Sequence, residues 1–298
     1  MGNNPFPAAA GYGQFPNGNW SKITFSNDLI MFNRTISVVE EITNNDYLSD
    51  GPVGMGSEVE IMKEPEITVT PYARGKRLTP QRIDDDKVVL TISEANSFAF
   101  EMDDIEKALG HVDWAPKLMN AGVYALRNNY DTSVLSFIVS NASTNASTTG
   151  VSIGFGAGLT TPLNYLGTCR RVLDENDVAE AGRYAVCSPR FFEYMEDEDS
   201  SLTDISYTGD TEFNALRATK FGANRVVKGF VLYKSNNLPA NTDVIYGNVN
   251  AVAAVQAIDK TKVADIPDGF GQMFAGLHVF GRQVIKDESV FHGTVTFG

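Results

Sequence analysis

The sequence has few of the residue types on which most metal and redox sites depend. Its 298 residues include two cysteines and three histidines. His111, His278 and His292 lack the spacing of a metal-binding motif, so we predict no metal site. Cys169 and Cys187 predict free buried thiols, because a chain without a secretory signal is expected in a reducing compartment. The sequence leaves open whether the two cysteines form a disulfide.

Long hydrophobic runs and positive charge are also scarce. No apolar run approaches the roughly 20 residues that a membrane-spanning helix needs. The first residues lack the basic and apolar segments of a secretory signal, so we expect neither export nor membrane attachment. The chain has 24 Lys and Arg against 37 Asp and Glu, for a formal net charge of −13. A surface that grips nucleic acid needs concentrated Lys and Arg, so sequence-specific binding to DNA is not expected.

No combination of residues forms a catalytic or cofactor site. The loop from Gly154 to Gly158 is rich in glycine and precedes a helix, but its glycine spacing departs from the dinucleotide-binding fingerprint. Ser188 follows a strand without the glycines of a nucleophile elbow. The acidic run from Glu196 to Asp199 lacks the spacing of a known calcium loop and indicates a solvated loop. We therefore predict no enzyme, no catalytic residue and no cofactor.

The most informative pattern is a pair of β-type runs over residues 57–70 and 87–100. In the first run Val59, Ile61, Ile67 and Val69 share one parity, which is typical of a half-buried strand. An isolated two-stranded ribbon is barely stable in water, so a long hairpin needs another surface to lie on. The residues alone leave two alternatives, an arm that binds a neighbouring subunit or two strands of an internal sheet.

The segment between the two runs is basic in an otherwise acidic chain. Gly75 and Pro80 are turn residues that place the tip of the hairpin here. The tip carries four positive side chains, which are Arg74, Lys76, Arg77 and Arg82.

A long helix follows the hairpin over residues 114–139. Met119, Val123 and Leu126 begin an apolar stripe at helical spacing. On the opposite side, Arg127 and Asp131 predict an exposed i,i+4 ion pair. Further helices are predicted at residues 27–44, 103–110, 163–173, 190–195 and 251–259. Further strands are predicted at residues 183–188, 229–235 and 243–246 and within the last 30 residues.

The N-terminal 20 residues are rich in Asn, Gly and Pro, which predicts an extended arm without a core of its own. Phe15 and Trp20 are among the aromatic residues in this arm. We expect the arm to lie on a protein surface.

The ordered set of these features resembles the major capsid proteins of tailed bacteriophages with the Hong Kong 97-type fold. The resemblance covers nearly the whole chain in order. It is carried by the arm, the basic hairpin and the long helix, together with four stretches of sequence. These are Gly54-Met55-Gly56-Ser57-Glu58-Val59-Glu60-Ile61, Ala99-Phe100-Glu101-Met102-Asp103-Asp104-Ile105-Glu106, Arg183-Tyr184-Ala185-Val186-Cys187-Ser188-Pro189 and Lys228-Gly229-Phe230-Val231-Leu232-Tyr233-Lys234-Ser235-Asn236-Asn237-Leu238-Pro239.

The resemblance implies an α+β fold with an N-terminal arm, an extended β-hairpin loop, a long spine helix, a peripheral domain and an axial domain. It also implies five segments. These are the arm and first helix at 1–45, the hairpin loop at 46–100, the peripheral domain with the spine helix at 101–196, the axial domain at 197–268 and C-terminal strands returning to the peripheral domain at 269–298.

The function implied by the resemblance is self-assembly into hexamers and pentamers of an icosahedral phage head that encloses double-stranded DNA. Expected partners are other copies of the chain, a scaffolding protein, a portal and a cement protein, with assembly in the host cytoplasm and a final place in the virion. Candidate contacts between subunits are the four basic tip residues with Phe15 and Trp20. The alternatives are another structural virion protein, such as a tail or tube protein, and a nucleotide-binding enzyme that uses the Gly154 to Gly158 loop.

Overall fold

The computed structural model describes residues 37–45, 56–62, 67–75, 77, 80–81, 87–104, 115–196, 226–266 and 269–298. The predicted arm with Phe15 and Trp20, the tip residues Lys76 and Arg82, and most of the predicted helix at 103–110 lie outside these residues. So do residues 197–225 of the predicted axial domain and most of the acidic run.

The described residues form four α-helices and twelve strands. The helices are α1 (Val39–Ile42), α2 (Ala115–Asn141), α3 (Pro162–Glu175) and α4 (Pro189–Met195). The strands are β1 (Glu58–Met62), β2 (Lys87–Asp103), β3 (Ser143–Thr144), β4 (Val151–Ile153), β5 (Arg183–Cys187), β6 (Val226–Val227), β7 (Phe230–Lys234), β8 (Val244–Asn248), β9 (Val252–Asp265), β10 (Gly271–Val284), β11 (Val290–Gly293) and β12 (Val295–Phe297). The described residues divide into two compact units. The smaller unit contains the described residues within 95–129 and 258–278, and the larger unit contains all the other described residues.

The predicted hairpin is confirmed at its base. β1 pairs antiparallel with β2 from Glu58 opposite Thr91 to Met62 opposite Lys87, in a sheet of order β1-β2-β10-β9. Val88, Leu90 and Ile92 of β2 are buried, as their shared parity predicts. The first run was predicted to stay a strand to residue 70, but residues 67–70 lie beyond the last pair of this ladder and form no strand.

The long helix is confirmed as α2, which extends from Ala115 to Asn141. Its apolar stripe is buried from Leu126 through Tyr130 and Val134. The predicted exposed ion pair on this helix is wrong, because Asp131 is buried and accepts hydrogen bonds from residues 37–39.

A six-stranded sheet of order β3-β11-β8-β5-β7-β6 forms the centre of the larger unit. Every residue of β5 and β8 is buried, because the sheet is covered on both faces. Alternate residues contribute to two different clusters: Ala185 and Cys187 pack with α3 and α4, and Tyr184 and Val186 pack with α1 and α2. The nearly continuous apolar sequence of β5 follows from this double coverage.

The strands of this sheet come from three of the five predicted segments. β5 lies within 101–196, β7 and β8 lie within 197–268, and β11 lies within 269–298, yet β8 pairs with both β5 and β11. Pairing in this sheet therefore crosses the boundaries predicted after residues 196 and 268.

The helix predicted at residues 251–259 is wrong, because these residues belong to a 3-10 turn and to β9. Ala253, Ala254 and Gln256 favour a helix in isolation, but pairing with β10 outweighs that weak local preference.

Both cysteines are free and buried, as predicted. Cys169 of α3 and Cys187 of β5 belong to the same apolar cluster. Burial raises the pKa of both thiols, which keeps them protonated and unreactive.

Within the smaller unit, stacked aromatic rings join β2 and β10. The rings of Phe98 and Phe100 have centroids 6.2 Å apart, and those of Phe100 and Phe274 are 5.1 Å apart. Gly122 of α2 leaves room for this stack, since a Cβ there would lie 2.6 Å from the Phe98 ring. Helix and sheet approach closely because the helix carries no side chain at this position.

Candidate assembly surface

Beyond the base of the hairpin, the chain exposes apolar side chains. Ile67 is 71% exposed, Val69 is 91% exposed and Tyr72 is 69% exposed. Every described residue from 67 to 81 is exposed. We call the described part of this segment, residues 67–75, 77 and 80–81, the exposed loop. Large apolar side chains grouped on a surface mark sites of protein–protein contact.

The exposed loop has a defined local geometry. The backbone N–H of Thr68 donates to Oε1 of Gln81 at 2.9 Å, which joins the two sides of the loop. Gly75 has a φ of 88°, a value that favours glycine, and confirms the predicted turn at this position. At the base, Nζ of Lys87 donates to Oε1 of Glu60 at 2.6 Å.

Of the four predicted basic tip residues, the structure describes two. Arg74 lies in the turn beside Gly75, and Arg77 follows it, and both are exposed. The loop therefore combines a positive tip with apolar sides. Such a surface suits an acidic protein partner, since exposed ion pairs orient a complex while apolar contacts supply most of its free energy.

β1 is an edge strand of its sheet. An exposed edge is a ready template for pairing with another chain, so natural proteins usually cover it. The base of the hairpin and the exposed loop are therefore both candidate surfaces for binding.

Two glycines of the glycine-rich loop have local structural roles. The N–H of Gly154 donates to the carbonyl of Thr160 at 3.1 Å, and a Cβ at this position would clash with the Leu159 side chain. Gly158 has a φ of 84°, a value that favours glycine. Helix α3 begins only at Pro162, with the Thr161 hydroxyl accepting a hydrogen bond from the Asn164 N–H.

The described ranges hold neither a metal-binding cluster nor a membrane-spanning helix. No group of three His, Cys, Asp or Glu residues in these ranges could hold a metal ion. In the same part of the chain, no helix is long and apolar enough to span a bilayer.

Sequence reasoning missed the buried role of Asp131. Its carboxylate lies on α2 but accepts hydrogen bonds from residues 37–39, which are more than 90 positions earlier in the chain. A signal was present, because Asp131 adjoins Tyr130 in the apolar stripe and so lies at its border. Helical spacing alone could not show which distant segment would cover it.

No protein-family model matches the sequence, and no curated protein matches it. Solved structures do match. A structure from Mycobacterium phage Che8 is 21% identical and has a TM-score of 0.72, with 98% of each chain covered. The capsid structure of the Cyanophage P-SCSP1u is 18% identical with a TM-score of 0.65, and 93% of each chain is covered. The asymmetric unit of the bacteriophage PhiM1 mature capsid is 14% identical with a TM-score of 0.64, covering 98% of this chain and 97% of that chain.

These likenesses extend over almost the entire chain. They confirm the predicted resemblance to phage capsid proteins and the predicted α+β capsid fold.

Proposed function

We propose that this protein is the major capsid protein of a tailed phage and self-assembles into the hexamers and pentamers of an icosahedral head. The observation that carries the proposal is the match of 98% of the chain to a phage structure with a TM-score of 0.72. Phage capsid structures match over nearly the same length, which supports the proposal. The double-stranded genome would be enclosed without sequence-specific contacts, in keeping with the net charge of −13.

The exposed loop supports this proposal because it suits a repeated contact between copies. Arg74 and Arg77 of the loop, together with the neighbouring Lys76 and Arg82, are proposed to pair with carboxylates of an adjacent acidic subunit. Each exposed ion pair contributes about 0–1 kcal/mol. In a closed symmetric shell the same contact recurs at every equivalent interface, so small terms add up. Phe15 and Trp20 of the predicted arm are proposed as further contacts.

We propose the spine role for α2, within a peripheral domain of residues 101–196, and the axial role for residues 197–268, whose strands β7 and β8 pair with β5. The protein would act without enzymatic activity, assemble in the host cytoplasm and remain in the virion. A scaffolding protein, a portal and a cement protein are its proposed further partners.

The direct test is purification of the full chain followed by negative-stain microscopy and size-exclusion chromatography. We expect shells or ring-shaped capsomers. A strictly monomeric species under all assembly conditions contradicts the proposal. Open tubes of uniform width would favour the tail or tube alternative. Stabilisation by a nucleotide panel would favour the enzyme, since a ligand at 100 times its dissociation constant adds about 2.7 kcal/mol.

A second test addresses the basic tip. The triple variant R74E, K76E and R77E should keep the unfolding transition of the monomer and lose most assembled particles. The matched control is K228E, K260E and K286E, which makes the same change in net charge at exposed lysines outside the loop. If both variants assemble alike, the tip has no specific role in assembly.

A further inference from the structure

Residues 37–44, which we call the N-terminal anchor, are docked into the larger unit. Val38, Val39 and Ile42 are buried in a cluster with Tyr130 and Val134 of α2. The anchor contains only the four-residue helix α1, and a helix this short does not form by itself in water. Its structure therefore depends on the surfaces that it contacts.

Asp131 of α2 satisfies the first turn of this helix. Its Oδ1 accepts from the Ser37 hydroxyl at 2.5 Å and from the Val39 N–H at 3.4 Å, and its Oδ2 accepts from the Val38 N–H at 3.1 Å. Val38 is the N-cap residue that precedes α1, and its side chain makes no capping hydrogen bond. A carboxylate from a distant element thus replaces the local cap that Ser, Thr, Asp or Asn normally provides.

The other end of the anchor is fixed by backbone pairing with β9. The Asn44 N–H donates to the Val252 carbonyl at 2.9 Å, and the Ala254 N–H donates to the Asn44 carbonyl at 3.3 Å. The Thr43 hydroxyl donates to the Val39 carbonyl at 2.8 Å. These bonds hold residues 43–44 without any charged group, whereas the start of the anchor is held by the side chain of Asp131.

A second carboxylate, that of Glu40 in the anchor, repels Asp131, while Oε1 of Glu40 accepts from the Gln256 amide of β9 at 3.2 Å. Glu41 lies on the same turn and its Oε2 accepts from the Tyr233 hydroxyl of β7 at 3.1 Å. The remaining titratable neighbour is the hydroxyl of Tyr130, which precedes Asp131 on α2. The groups that donate these hydrogen bonds to Asp131, Glu40 and Glu41 are all electrically neutral.

We propose that Asp131 is a positioning residue, a latch on α2 that fixes the N-terminal anchor through its hydrogen bonds with residues 37–39. The latch responds to protonation because its charge is buried beside a second carboxylate. This inference does not depend on the capsid function, since it concerns contacts within one chain.

The direction of the pH response follows from the opposing effects on the pKa of Asp131. Burial raises the pKa of this carboxyl, the hydrogen bonds from Ser37, Val38 and Val39 oppose the rise, and Glu40 adds to it. A group whose pKa is higher in the docked state than in the released state binds its proton more tightly when docked. Docking of the anchor is therefore strongest in acid and weakens as pH rises through the raised pKa of Asp131.

The test is hydrogen exchange of the full-length protein, corrected for the intrinsic pH dependence of amide exchange. In the wild type, we expect the protection of residues 38–44 to fall as pH rises from acid to neutral. In D131N, which keeps an acceptor oxygen but cannot ionise, that fall should disappear while most of the protection remains. In D131A, exchange in the anchor should be about 10-fold faster or more, since two buried N–H groups lose their acceptor.

The matched control is D243N, because Asp243 also accepts a backbone N–H, from Val295 at 3.1 Å, and a serine hydroxyl, from Ser188 at 3.4 Å. D243N should leave exchange in the anchor, and the dependence of that exchange on pH, as in the wild type. Identical pH profiles in wild type and D131N would overturn the latch. So would faster exchange in D131A that is spread equally over β5 and β8, since that pattern reports general destabilisation. If D131A does not fold, the comparison of wild type with D131N decides.

Discussion

The N-terminal anchor and the exposed loop contain the same kinds of apolar residue, but they differ in how far these residues are buried. The anchor buries Val39 and Ile42 completely, while the loop exposes Ile67 and Val69. The anchor is held by hydrogen bonds that it donates to α2 and β9 and accepts from β7 and β9. In the exposed loop, the hydrogen bond between Thr68 and Gln81 connects two residues of the same loop.

The difference separates residues that fold the subunit from residues that remain available to another surface. Full burial of an Ile or Val side chain contributes about 1.5–3 kcal/mol relative to exposure. The anchor has gained that free energy within one chain. The loop has not, so its apolar side chains can still contribute it to binding, which is the physical basis for proposing the loop as an assembly surface.

The largest expected contrast comes from the same substitution at the two sites. Ile42→Ala should lower the free energy of unfolding by about 2–5 kcal/mol, because it leaves a cavity in a packed cluster. Ile67→Ala should change it by less than about 0.5 kcal/mol, because the side chain is 71% exposed. Urea denaturation of both variants under conditions that keep the protein monomeric measures the difference.

In assembly the order should reverse. Particle yield at matched monomer concentration should fall for Ile67→Ala, whereas Ile42→Ala should assemble wherever it is folded. Equal losses of monomer stability in the two variants would show that the loop packs within its own subunit, and the distinction between the regions would fail.

A smaller contrast is expected from replacing valine by threonine, which keeps the shape and adds a hydroxyl. Val39→Thr places that hydroxyl in an apolar cluster and should cost about 1–3 kcal/mol. Val69→Thr places it in water and should leave the unfolding midpoint unchanged. Thermal unfolding compares the two, and a clear loss for Val69→Thr in the monomer contradicts the exposure of residue 69.

Sequence patterns predicted the structure correctly where one hydrophobic repeat describes which side of a helix or strand is buried. Val88, Leu90 and Ile92 alternate because β2 is a strand with one buried face, and the stripe that includes Leu126 repeats because α2 packs along one side. The basic tip and its turn were predicted from Arg74, Gly75 and Pro80, since turn residues report local geometry. These features need no knowledge of distant contacts.

The failures occurred where a distant segment decides the outcome. Asp131 was predicted to be exposed because a carboxylate on a helix usually faces water, yet the anchor covers it. A helix was predicted at residues 251–259, yet residues 252–265 form β9, which pairs with β10. The strands of the six-stranded sheet come from three of the predicted segments because pairing joins residues that are far apart in sequence.

The smallest contrast tests a single hydroxyl. The Thr43 side chain is buried and donates to the Val39 carbonyl at 2.8 Å, a bond within the anchor. Thr43→Val should lower the free energy of unfolding by about 1 kcal/mol, the usual net contribution of one hydrogen bond. The loss is limited because the Val39 carbonyl also accepts from the Thr43 N–H at 3.1 Å and so keeps a partner. Thr70→Val in the exposed loop should have no measurable effect on the monomer, because its side chain is exposed. Chemical denaturation at fixed pH resolves a difference of this size, and equal results for the two threonines would mean that the anchor is no more fixed than the loop.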